Sequence, residues 1–192
     1  MSRRRVSLLS PKWTISSILA AVITLLVYEA IRQLAFPIIV DEKSGVRMEA
    51  CFTPGGQCQN KIVRAIDAAK SEILVMSYSF TARPIAEALI NAQRRGIKVH
   101  VIADDGQRER ERTQLSLLAT QGVSITFDKT VAISHNKVMI IDGKTVVTGS
   151  YNWTNAAQFR NAENILFIES PELAKQYKKN WEERMRATQG SK

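Results

Sequence analysis

Between His135 and Asn152 the chain reads HNKVMIIDGKTVVTGSYN, and few folds accommodate that order of residues. Lys137 to Asp142 is an apolar, β-branched run of strand type, Asp142-Gly143 suits a tight turn, and Thr145 to Thr148 suits a returning strand. Alternate residues of a strand share a face, so His135 and Lys137 are expected to project together. The hairpin brings Ser150 and Asn152 back to the end where His135 sits. An imidazole, an ammonium, a hydroxyl and an amide then converge. Such a set suits a phosphate: Lys137 supplies charge, Ser150 and Asn152 supply neutral donors, and His135 attacks phosphorus or moves a proton.

The spacing His-x-Lys-x4-Asp-x6-Gly-Ser-x-Asn resembles the HKD signature of the phospholipase D superfamily. The resemblance runs from about Arg47 to the C-terminus. The pieces AIDAAKSEILVMSYSFTA (65–82), ALINAQRRGIKVHVIADD (88–105) and NAENILFI (161–168) are similar to the small, single-motif Nuc-like endonucleases of that superfamily. It implies an active site built from two such sets, one histidine attacking phosphorus and the other protonating the leaving oxygen. This chain carries one set, so a twofold homodimer would supply the second. His135 of one subunit would form a phosphohistidine while its twin acts as general acid. Lys137, Asn152 and Ser150 would stabilise charge on the non-bridging oxygens.

Two carboxylates are candidates to fix the tautomer of His135. Asp142 belongs to the signature, but it lies near the turn, where holding that turn is its simpler role. Glu163, in NAENILFI, is the one that the Nuc-like resemblance implies. His100, inside IKVHVIA, is expected to be structural. Tyr151, Trp153 and Phe159 flank the signature and suit either base stacking or core packing. Asp104-Asp105 and the mixed-sign run Arg108 to Arg112 are groove candidates at a strand end, or simply a solvated helix start.

Before this region, Met1 to Lys12 is basic and Trp13 to Tyr28 carries no charge, the pattern of a signal peptide or a short anchor. The small residues Ala30 and Ala35 have Tyr28 and Gln33 two positions before them, which makes poor cleavage sites. An uncleaved anchor is therefore expected, with the N-terminus cytoplasmic and the domain exported across the bacterial inner membrane, periplasmic or, if cleaved, secreted. Residues 1–36 form that segment, 37–46 read as a linker, and 47–192 as the phosphodiesterase domain. In CFTPGGQC, Cys51 and Cys58 bracket a turn that a local disulfide would close in an oxidising compartment. From residue 59 onward, helical and strand periodicities alternate, giving an α/β fold: a mostly parallel mixed sheet with helices on both faces. A helix over 110–120 and a closing helix over 171–188 are part of that pattern.

Of the net charge of +9, Arg3, Arg4, Arg5, Lys12 and Arg32 against Glu29 place +4 in the N-terminal segment and leave +5 on residues 37–192. That balance is compatible with a polyanion. Two cysteines and two histidines leave little material for a metal centre, and no metal or cofactor is expected. The leading expectation is a membrane-anchored, metal-independent endonuclease acting on nucleic acid, DNA or RNA. A phospholipase D or phosphatidyl transferase is the alternative, because the same centre cuts any phosphodiester. An inactive nucleic-acid-binding module is the third reading.

Overall fold

The computed structural model describes residues 17, 19–27, 39–41 and 43–190. The chain forms two units, Met1–Pro37 and Ile38–Lys192. In the first, residues 19–27 are helical and exposed. Most of the expected anchor, including the arginine cluster, lies outside the described residues. No helix among the described residues is long and apolar enough to cross a membrane.

The second unit is an eight-stranded sheet. Its strands are β1 (Ile39–Asp41), β2 (Val46–Thr53), β3 (Glu72–Ser77), β4 (Lys98–Asp104), β5 (Ser124–Asp128), β6 (Lys137–Ile141), β7 (Thr145–Gly149) and β8 (Glu163–Glu169), in the order β1-β2-β8-β7-β6-β3-β4-β5. The mixed sheet with helices on both faces matches the expectation. Its parallel share is smaller than expected: only β3–β4 and β4–β5 are parallel, and the other pairs are antiparallel. The reason is topological. Hairpins and meanders generate antiparallel neighbours, and only the two helical crossovers before β4 and β5 return the chain in the same direction. Residues 39–41, within the expected linker, form the edge strand β1.

Strand alternation sorts the core into two layers. Ile73 and Val75 of β3 and Met139 and Ile141 of β6 face the larger one, which packs under α1 (Cys58–Ala68), α2 (Arg83–Arg94) and α3 (Leu115–Thr120). Leu74, Met76, Val138 and Ile140 face the other, covered by Ala174 and Trp181 of the closing helix. The remaining helices are the short α4 (Asn155–Phe159) and that closing helix, α5 (Pro171–Gly190). Trp181 donates to the Val75 carbonyl at 3.2 Å and meets His100 edge-on at 5.1 Å. His100 also bonds Thr126 at 2.9 Å, and burial, aided by Lys98, lowers its pKa. Its setting is structural, as expected.

The expected helix over 110–120 begins only at Leu115. Asp105–Gln107 form a single 3-10 turn and the chain then loops to α3. Cys51 and Cys58 are joined, with Cα atoms 5.7 Å apart, tying β2 to the first residue of α1. Both sulfurs lie in the core. Loop-closure entropy for so short a loop is worth about 2–3 kcal/mol. The double variant C51A/C58A should therefore lose about that much stability in urea unfolding, and an unchanged midpoint would show that the covalent tie is redundant.

Candidate active site

The turn end of the β6–β7 hairpin fixes everything at its other end. Asp142 (φ +55°) and Gly143 (φ +61°) both adopt the left-handed conformation of a type I′ turn. The Asp142 carboxylate accepts from the backbone N–H groups of Lys70, Ser71 and Glu72 at 2.8–3.1 Å and from the Ser71 hydroxyl at 2.9 Å. These bonds outweigh its partial burial and hold its pKa below the usual carboxylate range. Five residues of strand separate it from Lys137, about 16 Å at the usual rise. Asp142 is thus not part of the site. It anchors the turn to the entry of β3, the simpler of the two roles expected of it, and its candidacy as the partner of the His135 ring is corrected.

At the open end, Val138 pairs with Thr148, so Lys137 starts β6 beside the end of β7 and also faces Ser77 of β3. Gly149 is required where β7 meets β8: a Cβ there would sit 2.3 Å from the Asn164 carbonyl oxygen. The close approach lets Ser150 and Tyr151 donate their backbone N–H groups to that same oxygen, at 3.1 and 3.3 Å. Ser150 Oγ donates to Glu163 Oε2 at 2.5 Å and accepts from the Asn164 N–H at 3.1 Å. Asn161 Nδ2 donates to the other Glu163 oxygen at 2.8 Å.

His135 lies two residues before the start of β6 and is exposed, whereas Lys137 is 8% exposed. The Lys137 ammonium donates to the His135 backbone carbonyl at 2.9 Å and sits over the Tyr78 ring, 5.0 Å from its centroid. The other neighbour of Tyr78 is the His135 ring, 4.5 Å away and tilted by 57°. Tyr78 thus holds both members of the His-x-Lys pair, and sequence reasoning missed it. Its signal was positional: it follows β3 directly, at the strand end where sheets of this kind place ligands. Asn152 Oδ1 is buried without a hydrogen-bond partner, and Asn152 Nδ2 makes no hydrogen bond among the described residues.

His135, Lys137, Ser150, Asn152 and Glu163 therefore occupy one end of the hairpin. Glu163 bonds Ser150 and acts on Lys137 through its field, with no direct hydrogen bond to the His135 ring among the described residues. Tyr151 and Trp153 are fully buried and do not offer faces for stacking, while Phe159 is exposed. Trp153 donates to the Met76 carbonyl at 3.3 Å. Asp104 is buried and accepts from the Ser134 N–H at 2.7 Å, steadying the loop that carries His135. A cavity of about 550 Å³ lies at the turn end, beside Asp142 and Lys144, away from this centre.

The mixed sheet, with an exposed histidine and a buried lysine meeting at the Tyr78 ring, fits a class of domains that act on phosphodiesters. Residues 62–185 match the family described as cardiolipin synthase, PLD-like domain. The chain belongs to the phospholipase D superfamily and is, at that level, a phosphodiesterase. It is 42% identical over 142 residues to a phospholipase D of Rickettsia conorii, covering 74% of this chain and 71% of that protein. It is 30% identical over 138 residues to the mitochondrial cardiolipin hydrolase of Canis lupus familiaris, covering 69% of this chain and 54% of that protein. The crystal structure of Nuc, a phospholipase D family member from Salmonella typhimurium, superposes with a TM-score of 0.71 at 34% identity, covering 74% of this chain and 95% of Nuc.

Desolvation favours the neutral amine, so the Lys137 pKa lies below the ordinary lysine value, with the Glu163 charge opposing the shift. Lys137 should lose its proton at lower pH than exposed lysines, and Glu163→Gln should lower its midpoint further. Titration of the lysine 13Cε resonances reads both. A Lys137 midpoint among those of the exposed lysines would show that burial does not control it.

Proposed function

We propose that this protein is a metal-independent endonuclease that works as a twofold homodimer through a phosphohistidine. The observation that carries the reading is the exposed His135 ring standing beside a buried, incompletely partnered Lys137. An incoming phosphodiester would meet His135 as nucleophile, with Lys137 and Asn152 Nδ2 toward its non-bridging oxygens. The His135 of the second subunit would protonate the leaving oxygen and then activate water. Glu163 would act as a positioning residue, holding Ser150 and supporting the Lys137 charge.

Support for a dimer comes from the single motif per chain and from Val131 and Ile133, apolar and exposed on the loop that leads into His135. Support for nucleic acid comes from the basic balance of the domain and the resemblance to Nuc-like endonucleases. The N-terminal segment would keep the domain at the outer face of the inner membrane, in keeping with a disulfide between Cys51 and Cys58. A lipid-directed phosphodiesterase is the second reading, favoured by the names of the Rickettsia and canine relatives.

The deciding experiment offers plasmid, single-stranded DNA, RNA and phosphatidylcholine vesicles to the purified protein in EDTA. Among the described residues no cluster of His, Cys, Asp or Glu is placed to hold a metal, so nucleic acid should still be cut. Cleavage should fall steeply with salt as counterions are released, with little choline freed. Rapid lipid hydrolysis beside intact DNA and RNA would reverse the ranking. His135→Ala should reduce turnover by about 10³-fold or more, and Lys137→Ala by about 10²-fold. A mixed dimer of wild-type and His135→Ala chains should be equally dead. Near-wild-type activity there would refute a shared centre.

A further inference from the structure

Beside the candidate centre lies a second cavity, of about 420 Å³, lined by Ser79, Thr81, Gln107, Arg110, Arg112 and Thr113. Glu111 is the single carboxylate on its wall. Three links join it to the reacting end. Ser79 follows Tyr78, whose ring contacts His135. Thr81 donates its N–H to the Trp153 carbonyl at 2.8 Å, next to Asn152. The loop bearing Gln107 and the arginines starts from Asp104, which holds Ser134 beside His135.

The lining is short of acceptors. Gln107 is 2% exposed, and its Nε2 donors have no partner. A buried donor left unpaired is costly, so this one calls for an acceptor from outside the chain. Arg108 is already engaged, paired with Asp105 at 3.0 Å and stacked 4.1 Å over Phe127. Arg110 and Arg112, on the same run, are exposed and make no ion pair among the described residues. Two guanidinium groups, hydroxyls and a buried amide donor around one hollow are the complement of a phosphodiester anion.

We propose that this hollow is a second phosphate subsite, holding the phosphodiester next to the one being cut on a nucleic-acid strand. The inference rests on the nuclease reading and adds to it the groups that grip the strand. A lipid with one phosphodiester would leave the hollow empty. A strand presents a phosphate on each nucleotide and fills both positions. Gln107 then gains the acceptor it lacks, and the 105–113 loop becomes part of the substrate track.

The test compares kcat/KM of the full-length protein, in EDTA, for a dinucleotide with one internucleotide phosphate and a tetranucleotide with three. Cardiolipin vesicles form a third arm. The tetranucleotide should be preferred about tenfold or more, chiefly through KM. Arg110→Gln with Arg112→Gln should bring that ratio close to one, and Gln107→Met should lower it severalfold. Lys175→Gln with Lys179→Gln, which removes equal charge from α5, should leave the ratio as it was. An unchanged ratio in the arginine variant, or no preference in the wild type, overturns the subsite while leaving the nuclease standing. Failure to cut either oligonucleotide, whatever happens to cardiolipin, overturns the nuclease reading and this one with it.

Discussion

The first residue of a central strand is an unusual place for an ammonium, because strands on both sides and a core below exclude water from it. Burying a charge costs far more than burying a methylene, unless partners replace the lost hydration. Lys137 receives only part of that replacement: one backbone carbonyl, the face of Tyr78 and the more distant field of Glu163. None of these is a carboxylate in contact. A fully paired ammonium would be stable and inert toward an anion. This one is kept short of partners, and its lowered pKa expresses the same deficit in another form. The arrangement suits an incoming phosphate, whose charge would complete the shell.

Holding a side chain in that state demands a rigid frame, and the hairpin supplies it from both ends. At the turn, Asp142 clamps three consecutive backbone N–H groups at the entry of β3. At the open end, Gly149 permits contact with β8 that any side chain would prevent. Strand register then sets Lys137 and the Ser150–Asn152 segment side by side. The aspartate of the signature is thus an architectural residue as far from the histidine as the hairpin allows. A motif can mix residues that meet a substrate with residues that only make the meeting possible.

That distinction marks how far the sequence could be read. The hairpin, and the order of strands and longer helices from β3 onward, were legible, because periodicity and turn chemistry act locally, whereas the short α4 was not read. The parallel share of the sheet was overestimated, since strand direction is decided by long-range pairing that periodicity does not report. β2, with a burial pattern that does not alternate, left no clear signature. Tyr151 and Trp153 looked equally suited to a surface or a core. Their inward partners, Gln158 for Tyr151 and the Met76 carbonyl for Trp153, come from chain segments that the motif does not mark. Tyr78 escaped notice because nothing in the motif marks a residue that arrives from another strand.

A centre that recognises a phosphodiester by one imidazole, one ammonium and a few neutral donors contains nothing specific to a sugar or an acyl chain. Substrate choice must come from what surrounds it. Here the surroundings differ by direction. The 105–113 loop brings guanidinium groups and a buried amide toward Ser79 and Thr81, while the loop before His135 exposes Val131 and Ile133. In the proposed homodimer a second subunit would bring a second copy of that hollow. The reacting phosphate would then lie between two symmetry-related hollows, one on each side, which fits a substrate carrying charge in both directions from the bond to be cut. A continuous strand has that property, and a headgroup at the end of a lipid does not.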